Sequence, residues 1–328
     1  MERQNEQRRP GIRRKQPIET MTPINKVLAA ALLAASLALS LDGYAAPAPP
    51  SGATDTAPDF QPPDEASLPD DEFGRMVRRG KEIFVHTDSA VPQFAGNHLQ
   101  CQNCHLDAGR KADASPLWAA YGLYPAYRKK NHHVNTFSER LQECFLYSMN
   151  GRKPPPGDPA LVALESYAYW LSRGAPLGVK LKGQGYPRLA PPALPADYTR
   201  GSLVYQQRCA ACHRADGTGT SPGGGAMRIP ALWGDDSFNW GAGMHQVGNA
   251  ASFIKANMPL GQGNSLSDQE AWDVARFIDS HERPQDPRFT GSVAETRRLY
   301  HDEPDSMYGL TVGGHLLGSG STAPGRKP

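Results

Sequence analysis

Two copies of the pattern Cys-x-x-Cys-His, at residues 101–105 and 209–213, constrain this chain more than any other feature. In such a motif both thiols form thioethers with the vinyl groups of a haem, and the adjacent histidine reaches the iron. A disulfide or half of a zinc site would use the same cysteines, but neither needs a histidine directly after both pairs. The motifs therefore predict two covalently bound haem c groups. Their attachment and proximal-ligand residues are Cys101, Cys104, His105, Cys209, Cys212 and His213.

The N-terminal region indicates export. Residues 27–41 are an apolar run of 15 residues, preceded by Lys26 and several arginines and followed by a Gly-Tyr-Ala sequence that ends at Ala45. The run is shorter than the roughly 20 residues needed to cross a bilayer. It therefore predicts a signal peptide over residues 1–45, with Met21 as an alternative start, rather than a membrane anchor. We expect a periplasmic protein without a membrane span in the mature chain.

The charge balance argues against a nucleic-acid partner. Without residues 1–46 the chain holds 28 Lys and Arg against 29 Asp and Glu, a net charge near −1. Glycine and proline together number 63, about a fifth of the chain, which predicts long loops and little regular structure. A bound prosthetic group would help such a chain to form a core.

Two proline-rich segments suggest the domain organisation. Residues 46–70 have nothing periodic to bury and read as a disordered spacer. Residues 183–196 have the same character and read as a linker between two domains, at residues 71–182 and 197–283. The remainder, residues 284–328, is a C-terminal extension for which the sequence suggests no role.

The two predicted domains repeat one pattern. Each opens with a helix in which a glycine, Gly80 or Gly201, stands four residues before an aromatic residue. Each closes with an aromatic-rich amphipathic helix, at residues 158–173 and 267–280, and the second of these starts with a Ser-x-x-Glu capping box. The glycines would let the paired helices cross closely. This order of elements resembles class I cytochrome c domains, so we expect a mainly α fold with two such domains in tandem.

One cysteine, Cys144, is left over after both haems are attached. It lies in a predicted helix over residues 136–150, where a spacing of four places Arg140, Cys144 and Ser148 on one face. A guanidinium one turn away favours the thiolate, the form that ligates iron or attacks sulfur. The alternative is a buried free thiol with Met149 as the distal ligand.

Spacing alone does not choose between these two ligands of the first haem. Met149 lies 44 residues past His105, close to the 45 residues that separate Met258 from His213. For the second haem the candidates are Met227, Met244, His245 and Met258. We expect Met258, which lies in the loop before the closing helix, where the class I fold supplies its sixth ligand.

The other candidates of the second domain have simpler explanations. Met227 and Met244 are interpreted as packing or loop residues, and His245 as a surface residue. Pro230 is expected to help orient His213 through a neighbouring carbonyl.

Three segments resemble the dihaem thiosulfate dehydrogenases. They are GNHLQCQNCH at residues 96–105, SPLWAAYGLYPAYR at residues 115–128 and VNTFSERLQECFLYSMNG at residues 134–151. More distantly, the chain is similar to the cysteine-ligated haem subunits of sulfur-oxidising complexes. The resemblance runs from about residue 71 to 281 and places Cys144 at the family's axial and catalytic cysteine.

The same resemblance implies roles for nearby residues. Arg140 and Ser148 match positions of the substrate pocket, and Arg128 matches a second sulfonate-binding arginine, although an exposed basic loop explains Arg128 equally well. Residues 110–153 hold eight Lys and Arg against three Asp and Glu, an excess that suits a dianionic substrate. Some members carry a lysine beside the methionine ligand that ligates iron in one redox state. Here that neighbour is Asn257 and Lys255 is only nearby, so the sequence does not indicate a ligand switch and leaves Met258 as the expected ligand in both oxidation states.

The resemblance implies an enzyme that couples two thiosulfate ions into tetrathionate, with the reverse reaction at the same site. Thiolate ligation would keep the first haem at a low potential, so electrons would pass to the second haem and on to an external periplasmic acceptor, such as a small cytochrome c. The alternative is a pure electron-transfer cytochrome with His/Met ligation at both irons. A dihaem peroxidase is a weaker third possibility.

We expect two covalently bound haems per chain, because each motif supplies both thiols and a histidine. A pyridine haemochrome titration of the purified protein measures the ratio. A value near one haem per chain would show that one of the motifs is not used.

Overall fold

The computed structural model describes residues 57–220 and 228–320, and the predicted signal peptide and Met227 lie outside this part. The described backbone is mainly helical, as predicted. The helices are α1 (Glu72–Val85), α2 (Thr87–Ala90), α3 (Leu106–Gly109), α4 (Leu117–Ala120), α5 (Phe137–Glu143), α6 (Pro159–Leu171), α7 (Tyr198–Arg208), α8 (Ala210–His213), α9 (Val247–Asn257), α10 (Asp268–Asp279) and α11 (Val293–Tyr300). Two antiparallel hairpins pair β1 (Ala126–Arg128) with β2 (His133–Asn135) and β3 (Thr311–Val312) with β4 (His315–Leu316).

The opening and closing helices cross at a glycine in both halves. A Cβ atom at Gly80 in α1 would lie 2.0 Å from the carbonyl oxygen of Ala163 in α6. A Cβ atom at Gly201 in α7 would lie 1.9 Å from the carbonyl oxygen of Asp273 in α10. Any side chain would force these backbones apart. The close crossing predicted from the sequence is confirmed.

Capping side chains define where the helices begin. At α10 the predicted capping box is present: Glu270 donates its N–H to the Ser267 hydroxyl, and its carboxylate accepts the Ser267 N–H at 2.7 Å. Thr136 and Glu139 form the same arrangement at α5. Each box satisfies two N–H groups that the first turn leaves without helical partners.

Two hydrophobic cores surround the helix crossings. The first is built on α1, α4, α5 and α6, and the second on α7, α9 and α10. Met244 packs against both cores, in agreement with its interpretation as a packing residue. The cores therefore meet along the chain segment that precedes α9.

The end of the predicted spacer is ordered, contrary to expectation. The ring of Phe60 packs against Trp118, with 5.7 Å between centroids. The N–H of Lys182 donates to the carbonyl of Pro58 at 3.1 Å. The ring of Phe60 and this backbone hydrogen bond thus hold residues 57–70 against the first half. The sequence analysis did not predict this order, because these residues show no helical or strand periodicity. Residues 46–56 lie outside the described part.

The predicted linker is irregular but bonded to the first half. The carbonyls of Gly183 and Gly185 accept the N–H groups of Asp113 and Ser115, both at 2.8 Å. The linker therefore runs beside the loop that follows the first haem motif. The domain boundary placed in residues 183–196 stays a prediction.

The C-terminal extension belongs to the second core. Met307 and Tyr308, between α11 and β3, are fully buried there. Nothing in the periodicity of residues 284–328 indicated this, because the buried side chains lie in irregular backbone.

The interpretation of His245 as a surface residue is wrong. His245 is only 4% exposed. Its Nδ1 donates to the carbonyl of Ala242 at 2.5 Å, and its Nε2 lies 3.1 Å from Nδ1 of His301 in the C-terminal extension. The extension covers this histidine and satisfies its second nitrogen, so its burial depends on a segment remote in sequence.

We expect Gly201→Ala to lower the free energy of unfolding by about 3 kcal/mol or more, because the added methyl group meets backbone that cannot move without separating α7 from α10. Gly243→Ala is the control, since a Cβ atom there has no neighbour closer than 4.0 Å. Its effect should stay within about 0.5 kcal/mol. Urea unfolding of the haem-loaded proteins measures both, and equal losses would contradict the crossing argument.

Candidate active site and haem cavities

The first cavity, of about 220 Å³, brings the predicted site residues together. The first haem motif lines it with side chains from the loop before β1, from α5 and from the turn after α5. The predicted residues that line it are Cys101, Cys104, His105, Arg128, Arg140, Cys144, Ser148 and Met149. Both candidate distal ligands, Cys144 and Met149, thus face the same space. Apolar side chains such as Phe84 and Leu117 complete its walls.

The second cavity, of about 340 Å³, is lined by the second haem motif at residues 209–213 and by Met258 at the end of α9. Pro230, Phe253 and Ile254 contribute to its largely apolar wall. Met258 follows α9 directly, so the helix end presents it to the cavity, as the sequence predicts.

Both motif histidines are oriented by a backbone carbonyl. Nδ1 of His213 lies 3.0 Å from the carbonyl oxygen of Pro230, which agrees with the predicted role of Pro230. Nδ1 of His105 lies 2.7 Å from the carbonyl oxygen of Ser115, a partner that the sequence analysis missed. The available signal was the proline that directly follows Ser115. Burial lowers the pKa of both imidazoles, which favours a neutral ring that donates from Nδ1 and keeps Nε2 free.

The side chains that line the two cavities suit a haem. All five cysteines are free thiols, so no disulfide uses either pair. Burial raises the pKa of Cys101 to about 12, which reflects the apolar floor of the first cavity. Each cavity thus combines two thiols, a carbonyl-anchored imidazole and apolar walls, and its residues fit a covalently bound haem.

The helix that carries Cys144 differs from the predicted one. Regular α5 ends at Glu143, and residues Cys144–Ser148 form a π-helical turn in which the N–H of Met149 donates to the carbonyl of Cys144 at 3.0 Å. The wider turn rotates the residues after Cys144 relative to a spacing of four. As a result Ser148 and Met149 both line the cavity.

Side chains from both halves hold this π-helical turn. Nδ2 of Asn239 donates to the carbonyl of Leu146 at 2.9 Å, and its backbone N–H donates to that of Tyr147 at 3.2 Å. Nδ2 of Asn97 donates to the carbonyl of Ser148 at 3.0 Å. Carbonyls that lack regular helical partners therefore receive hydrogen bonds from amides. Neither asparagine was singled out from the sequence.

Two basic side chains lie close to the ring of Tyr147. Nζ of Lys130 is 3.6 Å from its centroid, and the guanidinium carbon of Arg288 is 5.4 Å away. Burial, followed by the charges of Arg140 and Arg288, lowers the pKa of Lys130 to about 7. Arg288 belongs to the C-terminal extension, so the extension contacts the π-helical turn through the ring of Tyr147.

The two arginines of the first cavity keep their donors available. Within residues 57–220 and 228–320, no hydrogen bond joins the side chain of Arg140 or Arg128 to another protein group. The Arg140 side chain is 30% exposed, and its nearest ion-pair contact is Nη1 to Oε2 of Glu143 at 3.9 Å. The charge of the Cys144 sulfur raises the pKa of Arg140. Two uncommitted guanidinium groups beside a thiol suit the binding of an anion.

The two cavities share a wall. Four residues line both of them: Leu99, Cys104, Phe238 and Met244.

The ammonium group of Lys255 is bonded to other protein groups, because its Nζ donates to the carbonyl of Leu266 at 2.6 Å and pairs with Asp268. The structure thus gives no support to a lysine ligand in the second cavity.

Comparison with known proteins identifies a cytochrome c domain and relatives among the thiosulfate dehydrogenases. The cytochrome c family profile matches residues 198–282. Thiosulfate dehydrogenase of Thiomonas intermedia (strain K12) is 53% identical over 302 residues, 90% of this chain and 96% of that protein. Thiosulfate dehydrogenase of Stutzerimonas stutzeri (strain A1501) is 51% identical over 263 residues, 80% of this chain and 85% of that protein.

A solved structure shares the fold. It is the thiosulfate dehydrogenase TsdBA from Marichromatium purpuratum in its as-isolated form, with 50% identity and a TM-score of 0.77. The match covers 80% of this chain and 58% of that one. Across the described residues, every helix is too short or too polar to cross a membrane. The chain belongs to the thiosulfate dehydrogenase family.

Proposed function

We propose that this protein is a periplasmic dihaem cytochrome c that oxidises two thiosulfate ions to tetrathionate, with Cys144 as the nucleophile. The observation that carries the proposal is the first cavity, where Cys144, Arg140 and Arg128 meet beside the haem motif. A cavity that served electron transfer alone would not need two uncommitted arginines next to an unattached thiol. The identity of the relatives supports thiosulfate as the substrate.

In the first step the Cys144 thiolate bonds to the outer sulfur of one thiosulfate. The sulfur–sulfur bond forms with the loss of two electrons, and the product is a cysteine S-thiosulfonate that carries one negative charge. When bound, the haems accept these electrons and pass them to an external acceptor. Arg140 holds the sulfonate and offsets its charge while the bond forms.

In the second step the outer sulfur of another thiosulfate attacks the adduct sulfur that is bonded to Sγ of Cys144. The bond to the Cys144 sulfur breaks, tetrathionate leaves with two negative charges, and the thiolate is restored without further electron transfer. The adduct carries one negative charge and the incoming thiosulfate carries two, so their positions have to be fixed against this repulsion. Arg128, at the end of β1, binds the second sulfonate.

We infer the iron ligands from the residues that line each cavity and, for the choice of Cys144 over Met149, from the resemblance to the thiosulfate dehydrogenases. Cys101, Cys104 and His105 hold the first haem, with Cys144 as the distal ligand, and the second haem motif holds the other, with Met258 as the distal ligand. The wall that the two cavities share would separate the two haems, and electrons would pass across it from the first to the second. The tetrathionate-reducing direction would use the same residues.

We expect Met258→Gly to remove the sulfur-to-iron charge-transfer band of the oxidised protein, because Met258 supplies the only methionine sulfur that we assign to an iron. Absorption spectra of the variant and wild type measure this band at equal haem content. An unchanged band would show that another methionine, such as Met244, ligates the second haem.

We expect Cys144→Gly to be nearly inactive with thiosulfate and to keep both haems, because it removes the nucleophile. Arg140→Ala should lower turnover by roughly ten- to a hundredfold, since a charge-assisted contact to an anion contributes on the order of 1.5–3 kcal/mol. Arg152→Ala is the control, because this exposed arginine donates to the carbonyl of Gln93 and does not line the cavity. Acceptor reduction by thiosulfate measures all three.

Two results would replace the proposal with the electron-carrier alternative. One is wild-type turnover in Cys144→Gly, and the other is no electron transfer from thiosulfate in the wild type. Electron paramagnetic resonance gives an independent check, because His/thiolate ligation has a low-spin signal distinct from His/Met ligation. His/Met signals alone, unchanged in Cys144→Ser, would assign the distal position of the first haem to Met149.

A further inference from the structure

A buried carboxylate stands beside the anion site, and the reaction as described does not use it. Glu143 ends α5 directly before Cys144 and is only 5% exposed. A negative charge so close to a cavity for dianions weakens their binding. Its presence therefore calls for a role other than affinity.

Glu143 contacts two different parts of the site. Its Oε1 accepts a hydrogen bond from Nδ2 of Asn131 at 2.8 Å, and its Oε2 lies 3.9 Å from Nη1 of Arg140. Asn131 lies in the turn between β1 and β2, and its Nδ2 also donates to Oδ1 of Asn135 at 3.1 Å. One carboxylate thus joins α5 to the β1–β2 hairpin.

That hairpin carries the second arginine. Arg128 ends β1, where it pairs with His133 of β2, and its side chain lines the cavity. Arg140 lies one turn before Cys144 on α5. In the described part of the chain, neither guanidinium has a hydrogen bond to fix it. Their separation therefore depends on how the hairpin is held against α5.

We propose that Glu143 is a positioning residue, whose carboxylate sets the placement of Arg140 and of the Arg128 hairpin and so orients the two sulfonates for sulfur–sulfur bond formation. This inference rests on the proposed function. Glu143 lowers the affinity of the site for anions and raises the rate of the bound complex.

The sign of each effect follows from charge. Replacing Glu143 by glutamine removes one negative charge next to the cavity and keeps an oxygen that accepts from Asn131. Thiosulfate should then bind more tightly, while Arg140 loses the partner that orients it. A residue that served folding alone would give a higher KM or a lower haem content instead.

Steady-state oxidation of thiosulfate by haem-loaded Glu143→Gln tests the proposal. We expect KM to fall about three- to tenfold, from the removed repulsion. We expect kcat to fall about ten- to a hundredfold, because displaced reactants lose the benefit of orientation. Glu82→Gln is the matched control, since Glu82 is an exposed carboxylate paired with Arg79 on α1, and both parameters should stay at wild-type values. A KM that is unchanged or higher in Glu143→Gln, or an unchanged kcat, would overturn the proposal.

A second set of variants leaves α5 intact. Asn131→Ala breaks the link from Glu143 to the hairpin, together with the bonds that Asn131 makes to Asn135 and to the N–H of His133 inside the hairpin. Its loss in kcat should disappear in an Arg128→Ala background, because these bonds act by placing Arg128. An equal loss in both backgrounds would overturn the proposal. Failure of the proposed function is a separate result, since it would appear as an inactive wild type or an active Cys144→Gly before any Glu143 variant is compared.

Discussion

The structure depends on two backbone contacts, one in each half, where an opening helix meets its closing helix at a glycine. With no side chain between them, the helices bring their aromatic residues together beside the haem cavities. Phe84 and Tyr167 lie 5.9 Å apart, and Tyr205 and Phe277 lie 5.2 Å apart. The hydroxyl of each tyrosine donates at 2.7 Å to a carbonyl just past a motif histidine. Each crossing thus fixes an aromatic pair beside the cavity and, through the tyrosine hydroxyl, the loop that follows the motif histidine.

The two cavities are built alike but differ in the chemistry of their distal sides. In the second, a methionine at the end of a regular helix faces an apolar wall. In the first, the corresponding region is a π-helical turn that presents a thiol, a hydroxyl and a methionine together, with arginines nearby. A local departure from regular helix thus brings three sulfur or hydroxyl groups to the first cavity, where the end of α9 brings one methionine to the second.

The sequence predicted correctly those features that depend on neighbouring residues in the chain. The haem motifs, the crossing glycines and the capping box at Ser267 each depend on residues close together in the chain. It missed what long-range contacts decide. His245 is buried because a segment 56 residues later covers it. The π-helical turn is held by Asn97 and Asn239, and no pattern of residues 136–151 reveals partners so far away.

Asn97 and Asn239, which hold the π-helical turn, tie the first half of the chain to the second. Asn239 comes from the second half, yet it completes the hydrogen bonding of the segment that presents Cys144 in the first. Asn97 links the same turn to the carbonyl of Ser237 at 3.0 Å. A first half expressed alone would retain its haem motif and its crossing helices but would leave the carbonyls of Leu146 and Tyr147 without Asn239. The two halves are therefore alike in plan but not interchangeable, because a residue of the second half completes the turn that presents Cys144 in the first.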